Sequence, residues 1–482
     1  MSFIEKYKPS MHFSPAFGWI NDPNGLVYSK GNWHLFYQYY PMSTVWGPMH
    51  WGHAISKDLV NWKHNPIALA PDEHGYMFSG SAITDNKNAS GLFDQESEDN
   101  LILYYTASMP RHHICPDDLQ TQCLAYSKDG GQSWDKYEKN PILPNPDLLC
   151  YRDPKIVWVE GANHWVMVLT HGQTVGIYKS EDLLTWEYCS EFGETEGHHS
   201  KGPWECPDLF PLTTPDGETK WIMIVGIGPH DTDSDYGQTP STQYFIGNFD
   251  GEIFTNSNPA DKVLWLDYGC DCYATQSYFN APEGKRVGIS WMSNWKYARN
   301  TETKSFRGSM TLPKEFQLVR NVQGDLLLAQ HFLIENQRHF PSSVSTESRV
   351  IDVDSGIYRL NATLVLEENE AVTLSLFGLT KPSVEIKRTA SGIEVRSIRE
   401  YCGTDEIMKS EFPHDYTVIH KCAGIETSLD LVVDNGAVEI LLDDGKFSMT
   451  QLHYPEALDG NISLGGEGWM GVTISNHKIK LQ

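Results

Sequence analysis

A short pattern recurs from about residue 20 to about residue 320: two apolar strands, a turn of the form Ser-x-Asp, and then a tryptophan. Three copies are plain, namely Ser56-Lys57-Asp58 before Trp62, Ser127-Lys128-Asp129 before Trp134, and Ser180-Glu181-Asp182 before Trp186. A weaker fourth copy spans residues 221–225 and 244–251. Helical periodicity is scarce, so the pattern predicts an all-β chain. Repeats of short strands at a spacing of roughly 40 to 70 residues are typical of β-propeller blades, in which the Ser-x-Asp turn would close the outer hairpin.

A polar, turn-forming segment precedes each of five strand groups. The segments are Asn21-Asp22-Pro23, Phe78-Ser79-Gly80-Ser81, Tyr151-Arg152-Asp153-Pro154, Glu205-Cys206-Pro207 and Asp271-Cys272-Tyr273. Their number predicts five blades. If the first strand of each blade lines a central channel, all five segments meet at one mouth of that channel. Acidic residues that lie far apart in the sequence then become neighbours.

The pattern changes near residue 335. Residues 336–349 are polar and serine-rich, which suits a connector, and beyond them the alternation in residues 383–388 and 429–433 predicts strands with one buried face. Asp434-Asn435-Gly436 before another apolar run predicts a hairpin. A chain of 482 residues is also too long for one ordinary core. We therefore predict a five-bladed β-propeller in residues 1–335 and a β-sandwich with a supporting role in residues 340–482.

Charge and composition limit the partners. The formal net charge of −26 argues against nucleic acid and anionic membranes, which both need a basic surface. The longest apolar run, residues 221–227, is far shorter than a membrane span, and residues 1–8 lack the apolar stretch of a secretion signal. The nine cysteines are scattered, without metal-ligand spacing. We expect a cytoplasmic protein that acts on a small molecule without metal or cofactor.

Three carboxyl groups stand beside proline-containing turns, and glycoside cleavage is a reaction that uses such a set. One carboxylate attacks or activates water, and one protonated carboxyl donates to the leaving oxygen. Asp22, on a turn rich in amide donors, suits the ionised group, while Glu205, between apolar neighbours, suits the acid with a raised pKa. Arg152 is expected to keep Asp153 ionised, so that Asp153 can hold sugar hydroxyls and offset positive charge on the ring. Each acid also has a plain structural interpretation, as a turn residue, an ion-pair partner or a solvated loop acid.

A hydroxyl-rich substrate also needs aromatic walls, for which the candidates are Trp46, Trp51, Phe78 and Trp291. The two histidines His112 and His113 have no spacing that would suit metal ligands.

These motifs resemble the three signature motifs of glycoside hydrolase family 32, the invertase, inulinase and levanase group. The matching segments are residues 19–25, Arg152-Asp153-Pro154 and Glu205-Cys206-Pro207, with further matches at residues 36–39, 46–54, 78–82, 307–313 and 438–445. The resemblance covers nearly the whole chain, and it implies a five-bladed propeller followed by a sandwich. It also implies retaining hydrolysis of β-fructofuranosides, with Asp22 as nucleophile, Glu205 as acid and then base, and Asp153 as transition-state stabiliser. The residues implied to bind substrate are Asn21, Gln38, Trp46, Phe78, Ser79, Arg152, Asp271, Tyr273 and Trp291.

The resemblance does not identify the group that is released when the bond to fructose is broken. Because no secretion signal is visible, sucrose and short fructo-oligosaccharides are the expected substrates. Sucrose 6-phosphate is the close alternative and would need a basic patch beside the pocket. A fructosyltransferase on the same scaffold, a silent sugar-binding protein and a glycosidase for arabinosides or xylosides also stay open, and so does the oligomeric state.

Overall fold

The repeats in the sequence correspond to five antiparallel sheets, whose first strands contact one another in a closed ring. The computed structural model describes residues 5–110, 118–228, 240–334, 336–353, 355–379, 381–458 and 460–476. Residues 1–4, on which the prediction of location partly rests, and the histidines at 112 and 113 lie outside these ranges. The prediction of a five-bladed propeller followed by a β-sandwich is confirmed.

The blades follow one another along the chain, and in each blade the first strand is innermost. The strands of the first two blades are β1 (Gly18–Ser29), β2 (Asn32–Tyr40), β3 (His50–Ser56), β4 (Trp62–Leu69), and β5 (Tyr76–Thr84), β6 (Leu101–Met109), β7 (Leu119–Ser127), β8 (Asp135–Lys136). Those of the third and fourth are β9 (Tyr151–Val159), β10 (His164–His171), β11 (Thr174–Ser180), β12 (Glu187–Phe192), and β13 (Trp204–Thr213), β14 (Thr219–Ile227), β15 (Thr242–Phe249), β16 (Phe254–Asn256), β17 (Leu264–Trp265).

The fifth blade closes the ring. It contains β18 (Tyr273–Ser277), a 3₁₀ turn (Pro282–Gly284), β19 (Val287–Met292), β20 (Phe306–Arg307), β21 (Ser309–Met310), β22 (Lys314–Arg320) and β23 (Leu326–Phe332). The short strand β20 leaves this blade and pairs in parallel with β1, so that Gly18 lies opposite Phe306 and Trp19 opposite Arg307. The last blade is thereby joined to the first by backbone hydrogen bonds.

Apolar side chains fill the spaces between neighbouring blades. Leu35 of the first blade packs in one cluster with Ile289 of the fifth, and Val168 of the third packs in another with Met223 of the fourth. All four side chains are buried. Because strands such as β6 and β14 are buried on both faces over much of their length, each sheet can be covered by the next blade on either side, as the propeller arrangement requires.

The Ser-x-Asp turns join the third and fourth strands of the first three blades, as predicted. In the third blade, Ser180 Oγ accepts a hydrogen bond from the backbone N–H of Leu183 (2.9 Å), and Asp182 Oδ1 accepts from those of Leu184 (2.9 Å) and Thr185 (2.7 Å). The turns at Asp58 and Asp129 repeat this arrangement. The recurring residues are therefore structural, since they satisfy backbone N–H groups that the outer hairpin leaves unpaired.

The C-terminal part is a sandwich of two six-stranded sheets. Its elements are α1 (Asn336–His339), β24 (Ser342–Ser345), β25 (Val350–Ile351), β26 (Ile357–Val365), β27 (Ala371–Ser375), β28 (Val384–Thr389), β29 (Gly392–Arg399), α2 (Glu406–Glu411), β30 (His414–His420), β31 (Glu426–Asp434), β32 (Ala437–Leu442), β33 (Phe447–Leu452), β34 (Ile462–Gly465) and β35 (Trp469–Asn476). The predicted hairpin is present: Asn435 and Gly436 join β31 to β32, both with positive φ (50° and 100°), which suits a tight hairpin turn. Among the described residues, no helix is long and apolar enough to cross a bilayer.

Buried charged groups cross between the propeller and the sandwich. Lys314 Nζ of β22 lies 2.8 Å from Glu439 Oε2 of β32. His12 bonds to Asp434 through Nδ1 (2.8 Å) and to Glu439 through Nε2 (3.0 Å). Burial lowers the pKa of His12, but the two carboxylates outweigh burial and bring it to about 9. These charges are paired, as buried charges must be if they are not to destabilise the fold.

The substitution Asp182→Ala tests the role of the turns. We expect it to lower the free energy of unfolding by about 1 to 2 kcal/mol, because two backbone N–H groups lose their acceptor. Burial raises the pKa of Asp182, but the hydrogen bonds from Thr185 and Leu184 outweigh it and leave the pKa lowered. The wild type should therefore exceed Asp182→Ala in free energy of unfolding by the full amount above the ordinary pKa of aspartate. This difference should shrink as the pH falls through the lowered folded-state pKa.

Urea unfolding at pH 7, and at the lowest pH at which the wild type still folds, measures this difference. Glu181→Ala is the control, because Glu181 is an exposed neighbour on the same turn. Equal losses in the two variants, or a loss for Asp182→Ala that does not shrink in acid, would contradict the assignment.

Candidate active site

Each innermost strand carries a β-bulge near its start. The irregularities fall between Ile20 and Pro23, Met77 and Gly80, Arg152 and Lys155, Glu205 and Asp208, and Tyr273 and Gln276. A bulge leaves one residue out of the hydrogen-bond ladder and turns its side chain to a new direction. The first four bulges overlap the first four polar segments of the sequence, and the fifth bulge begins at Tyr273, the last residue of the fifth segment. The irregular backbone therefore lies in or beside the segments that were predicted to meet at one mouth of the channel.

Proline suits these positions for a simple reason. Pro154 and Pro207 lie within bulges, where a ladder hydrogen bond is missing, and Pro23 lies at the edge of the first bulge, opposite Tyr37. Proline has no N–H group to leave unpaired there. The φ angles of Asp153 (67°) and Cys206 (49°) lie in the left-handed region, which costs energy for a residue with a side chain.

A pocket of about 340 Å³ opens at this mouth. It is lined by Asn21, Asp22, Gln38, Trp46, Phe78, Ser79, Arg152, Asp153, Glu205, Trp295 and Arg299. The three predicted catalytic acids and six of the predicted binding residues are thus brought together from four blades, although up to 184 positions separate them (21 to 205). The volume lies at the lower end of the range of about 300 to 1,000 Å³ that is usual for small-molecule sites.

Asp22 lies on the first bulge. Its Oδ2 accepts a hydrogen bond from Ser79 Oγ at 2.5 Å and lies 3.6 Å from the thiol sulfur of Cys206. Burial raises the pKa of Asp22, and the nearby Glu205 carboxylate raises it further, while the bond from Ser79 opposes both. The net shift is upward, so Asp22 is a stronger base than a free aspartate.

Glu205 is held from both sides. Arg152 Nη2 donates to Oε1 at 2.7 Å, and the hydroxyl of Tyr273 donates to Oε2 at 2.5 Å. The two donors come from the third and fifth blades, and Glu205 from the fourth. Such bonds restrict the rotamers of a long side chain, so that the carboxyl group stays at one place in the pocket.

Asp153 differs from the prediction. Its Oδ2 accepts from the backbone N–H of Cys206 at 2.9 Å, but Arg152 Nε is 3.8 Å away because the guanidinium reaches Glu205 instead. Burial raises the pKa of Asp153, the charges of Glu205 and Asp22 raise it further, and together they outweigh Arg152 and bring it to about 7. The expectation that Arg152 keeps Asp153 fully ionised is therefore wrong, since burial and two like charges exceed one partly engaged cation.

The polar floor and the aromatic wall of the pocket are formed by other predicted residues. Asn21 accepts a hydrogen bond from Trp19 Nε1 (2.8 Å), and Gln38 Nε2 donates to Asn24 Oδ1 and to the carbonyl of Met77 (both 2.8 Å). Trp46 and Phe78 meet edge to face with ring centroids 6.2 Å apart. The arrangement offers hydroxyl-binding groups below and aromatic rings beside a bound sugar.

Three predicted binding residues and one predicted wall residue do not line the pocket. Asp271 is fully buried, and its carboxylate bonds to Arg399 and Tyr297 at the contact with the sandwich. Trp291 and Trp51 are fully buried behind the pocket, Trp291 against Trp295 and Trp51 with its Nε1 bonded to the carbonyl of Phe78. Tyr273 reaches the site through its hydroxyl, which contacts Glu205. Asp271, predicted to bind substrate, and Trp291 and Trp51, predicted as aromatic walls, therefore do not line the pocket, because each side chain is packed against the fold.

Two pocket residues were not predicted: Trp295 and Arg299. They belong to the loop that follows β19, and β19 runs antiparallel to the inner strand β18, so its end returns to the mouth where β18 begins. The position of this loop, directly after the strand that pairs with β18, was the only sequence signal that it would lie at the pocket. Trp295 packs against Trp19 and Trp291 (ring centroids 5.9 and 4.8 Å apart), which fixes its place beside the pocket.

One group of possible metal ligands occurs in the described parts of the chain, and it lies in the sandwich rather than the pocket: His420, Cys422 and Asp443. Arg388 Nη1 is 3.1 Å from the sulfur of Cys422, and Lys446 Nζ is 2.9 Å from Asp443 Oδ1. Cations already occupy two of the three candidate ligands, which disfavours a metal ion there.

Comparison with known proteins gives a consistent result. Residues 12–330 match the glycosyl hydrolases family 32 N-terminal domain, and residues 337–480 match the family 32 C-terminal domain. A levanase of Bacillus subtilis (strain 168) is 38% identical over 500 residues, covering 99% of this chain and 71% of that protein. An extracellular exo-inulinase of Aspergillus niger is 37% identical over 525 residues, covering 99% of this chain and 95% of that protein.

A solved structure shares the whole architecture. The fructofuranosidase of Schwanniomyces occidentalis, complexed with fructosylnystose, superposes with a TM-score of 0.83 at 28% identity and covers 99% of this chain and 98% of that one. The fold, the carboxyl-lined pocket and the comparisons together define an enzyme that hydrolyses glycosides. The chain belongs to glycoside hydrolase family 32.

The raised pKa of Asp153 has a consequence for stability. A carboxyl with a raised folded-state pKa stabilises the fold fully at low pH, and this contribution is lost as the pH rises through about 7. Asn resembles the protonated acid, so Asp153→Asn should be more stable than the wild type at pH 8 by roughly 2 to 4 kcal/mol. At pH 5 the difference should shrink to less than half of that value, and it should vanish only below the ordinary pKa of 3.8, where the unfolded chain is protonated too.

Chemical denaturation at both pH values measures this difference. Asp94→Asn, which changes an exposed side chain, is the control and should leave the free energy of unfolding unchanged at both pH values. An Asp153→Asn variant less stable than the wild type at pH 8 would show that its charge is compensated in the fold.

Proposed function

We propose that this enzyme is a retaining β-fructofuranosidase that releases terminal fructosyl residues from sucrose and short fructo-oligosaccharides. The observation that carries the proposal is the meeting of Asp22, Asp153 and Glu205 in one small pocket with aromatic walls. The relatives support the sugar: they are named for levan, inulin and fructofuranosides. A pocket of this size, lined by residues of four inner strands and by the loop that follows β19, suits one sugar ring at the end of a chain rather than a long internal segment.

In the proposed reaction, Asp22 attacks the anomeric carbon of the fructosyl unit while Glu205 gives its proton to the glycosidic oxygen. The bond to the leaving sugar breaks, and a covalent fructosyl–Asp22 ester forms. Glu205, now ionised, takes a proton from water, and the resulting hydroxide displaces Asp22 and restores both groups. Asp153 binds fructose hydroxyls beside the reacting carbon, where its interaction strengthens as positive charge develops on the ring.

Substitution of Glu205 by alanine tests both the acid and the covalent step. On p-nitrophenyl β-fructofuranoside, whose leaving group needs no proton, Glu205→Ala should release a rapid burst of nitrophenol equal to the enzyme concentration and then turn over slowly. On sucrose, the same variant should lose about 10²- to 10⁴-fold in kcat, the usual value of proton transfer. Mass spectrometry of the stalled variant should find the fructosyl group on Asp22.

Asp22→Asn is the matched control and should show no burst on either substrate. An Asp22→Asn variant that still released nitrophenol would exclude Asp22 as the nucleophile. The retaining mechanism would be excluded if Glu205→Ala formed no fructosyl ester on Asp22 and if the fructose released by the wild type had the inverted configuration at its anomeric carbon.

One observation favours sucrose 6-phosphate as a second candidate substrate. Arg299 is exposed at the edge of the pocket, and the described part of the structure gives it no ion-pair partner. In a chain of net charge −26, a cation at this place could attract a phosphate on the leaving sugar. The cytoplasmic location also stays a prediction, and because one relative is named as extracellular, long fructans belong in the comparison.

Catalytic efficiencies on sucrose, sucrose 6-phosphate, a short inulin-type trisaccharide and levan separate these candidates. We expect sucrose and the trisaccharide to agree within about tenfold, with the phosphate ester no better, and Arg299→Ala to change all of them by a similar factor. A preference for sucrose 6-phosphate that Arg299→Ala removes would establish the second candidate, a sucrose-6-phosphate hydrolase. Products longer than the substrate at high sucrose would instead establish a fructosyltransferase.

A further inference from the structure

A single arginine of the sandwich domain reaches across to the propeller behind the pocket. Arg399 ends β29 and is 2% exposed. Its Nη1 donates to Asp271 Oδ2, its Nη2 to the hydroxyl of Tyr297 at 2.9 Å, and its Nε to the carbonyl of Phe412 at 2.9 Å. The guanidinium also lies 3.8 Å from the centroid of the Phe412 ring. Nη1 also donates to the carbonyl of Leu452 in the sandwich at 3.3 Å, so the group is fixed from both sides of the interface.

The first arm of this contact leads to the acid Glu205. Asp271 lies two residues before Tyr273, whose hydroxyl donates to Glu205 Oε2. The carboxylate of Asp271 also accepts from the backbone N–H of Leu452 (2.8 Å) in the sandwich. The segment that begins the fifth inner strand is therefore anchored to the sandwich at one end and contacts the catalytic carboxyl at the other.

The second arm leads to the loop that forms one wall of the pocket. The hydroxyl of Tyr297 also donates to Asp271 Oδ1, so Arg399, Asp271 and Tyr297 form a closed triangle of hydrogen bonds. Tyr297 lies between Trp295 and Arg299 in sequence, and both of these line the pocket. Any movement of Tyr297 would move its neighbours along the same short loop.

The two arms are also joined to each other. Asn294 Nδ2 donates to the carbonyl of Cys270 at 2.7 Å, and the backbone N–H groups of Tyr297 and Ala298 donate to the carbonyl of Asn294 (3.2 and 2.8 Å). The loop and the start of β18 thus form one unit, and Arg399 is the charged group that ties this unit to the sandwich.

We propose that Arg399 is a positioning residue for catalysis: through Asp271 and Tyr297 it holds Tyr273 against Glu205 and holds the Trp295–Arg299 loop beside the pocket. The inference rests on the proposed function of Glu205. A buried carboxylate such as Asp271 keeps a fixed place when a matching cation is fixed too, and the planar guanidinium offers several donors in set directions. The sandwich domain then contributes to the geometry of the active site and not to stability alone.

The test compares two cations of the same interface in the full-length enzyme. Arg399→Met removes the proposed positioning contact. Lys314→Met removes another buried cation, which pairs with Glu439 and Asp267 and lies within hydrogen-bond distance of the hydroxyls of Ser448 and Thr450. Among the bonds described, Lys314 makes no direct hydrogen bond to Asp271, to Tyr273 or to the Trp295–Arg299 loop. Both variants should lower the melting temperature. The kinetic assays are run well below the lower of the two melting temperatures, and rates are divided by the concentration of folded enzyme that circular dichroism gives at the assay temperature.

We expect Arg399→Met to lower kcat on sucrose by about 10- to 100-fold and to raise KM, because both Tyr273 and the Trp295 wall lose their support. Lys314→Met should keep kcat and KM within about twofold of the wild type. Arg399→Lys should recover part of the loss, since it restores the charge opposite Asp271 but not the bonds to Tyr297 and Phe412. In the double variant Asp271→Asn/Arg399→Met, kcat should fall no further than in the worse single variant.

A purely structural role makes a different prediction, and it would overturn the proposal: Arg399→Met with wild-type kcat and KM per active site, or Lys314→Met with an equal kinetic loss. If Arg399→Met does not fold, Tyr297→Phe replaces it, because this change removes one hydroxyl from the triangle and leaves the ring in place. Tyr297→Phe should lower kcat/KM by about 3- to 10-fold, and a value equal to the wild type would again overturn the proposal. Failure of the wild type to hydrolyse any β-fructofuranoside would instead refute the proposed function.

Discussion

The site depends on holding three carboxyl groups together against their mutual repulsion. Burial is the largest cause of the raised pKa values of Asp22 and Asp153, and the repulsion between the carboxylates raises them further. It is offset by donors placed around the acids: Ser79 on Asp22, the backbone N–H of Cys206 on Asp153, and Arg152 with Tyr273 on Glu205. Every one of these donors comes from a different strand than the acid it serves. The cluster therefore exists only in the closed ring of blades, and the apolar packing between blades supplies the energy that keeps it closed.

The same constraint explains where the backbone is irregular. A regular strand would alternate its side chains between the two neighbouring blades, and neither direction leads into the channel. The bulge at the start of each inner strand turns one or two side chains toward the mouth, with positive φ at Asp153 and Cys206. The cost of these conformations is acceptable because the surrounding ladder fixes them from both sides. A pocket made in this way is rigid, which favours interactions that must be aimed at a transition state.

Much of the architecture could be predicted from the sequence because its signals are local. The Ser-x-Asp turns, the Asn435–Gly436 hairpin and the acid-plus-proline segments each act within a few residues, and their order along the chain gives the order of the blades. Asp271 and Asp153 show where such reasoning ends. The direction of Asp271 is decided by Arg399, 128 positions later, and the charge of Asp153 by its burial beside two other acids from other blades. Neither partner can be read from the neighbouring sequence, and Trp295 needed the return direction of β19 to be known.

The contact of Arg399 with Asp271 also bears on why two domains stay together. A buried ion pair is weak evidence for stability, because a well-packed apolar pair at the same place is often as stable or more so. Its advantage is directional: an apolar contact tolerates small shifts, whereas the triangle of Arg399, Asp271 and Tyr297 has one arrangement in which all its hydrogen bonds are made. The pair of Lys314 and Glu439 lies at the same interface, but Lys314 makes no described hydrogen bond to Asp271, to Tyr273 or to the loop beside the pocket. The two ion pairs can therefore have different roles although both are buried. An interface that fixes the position of the tyrosine bonded to Glu205 would favour the ion pair at Arg399 even where stability alone would not.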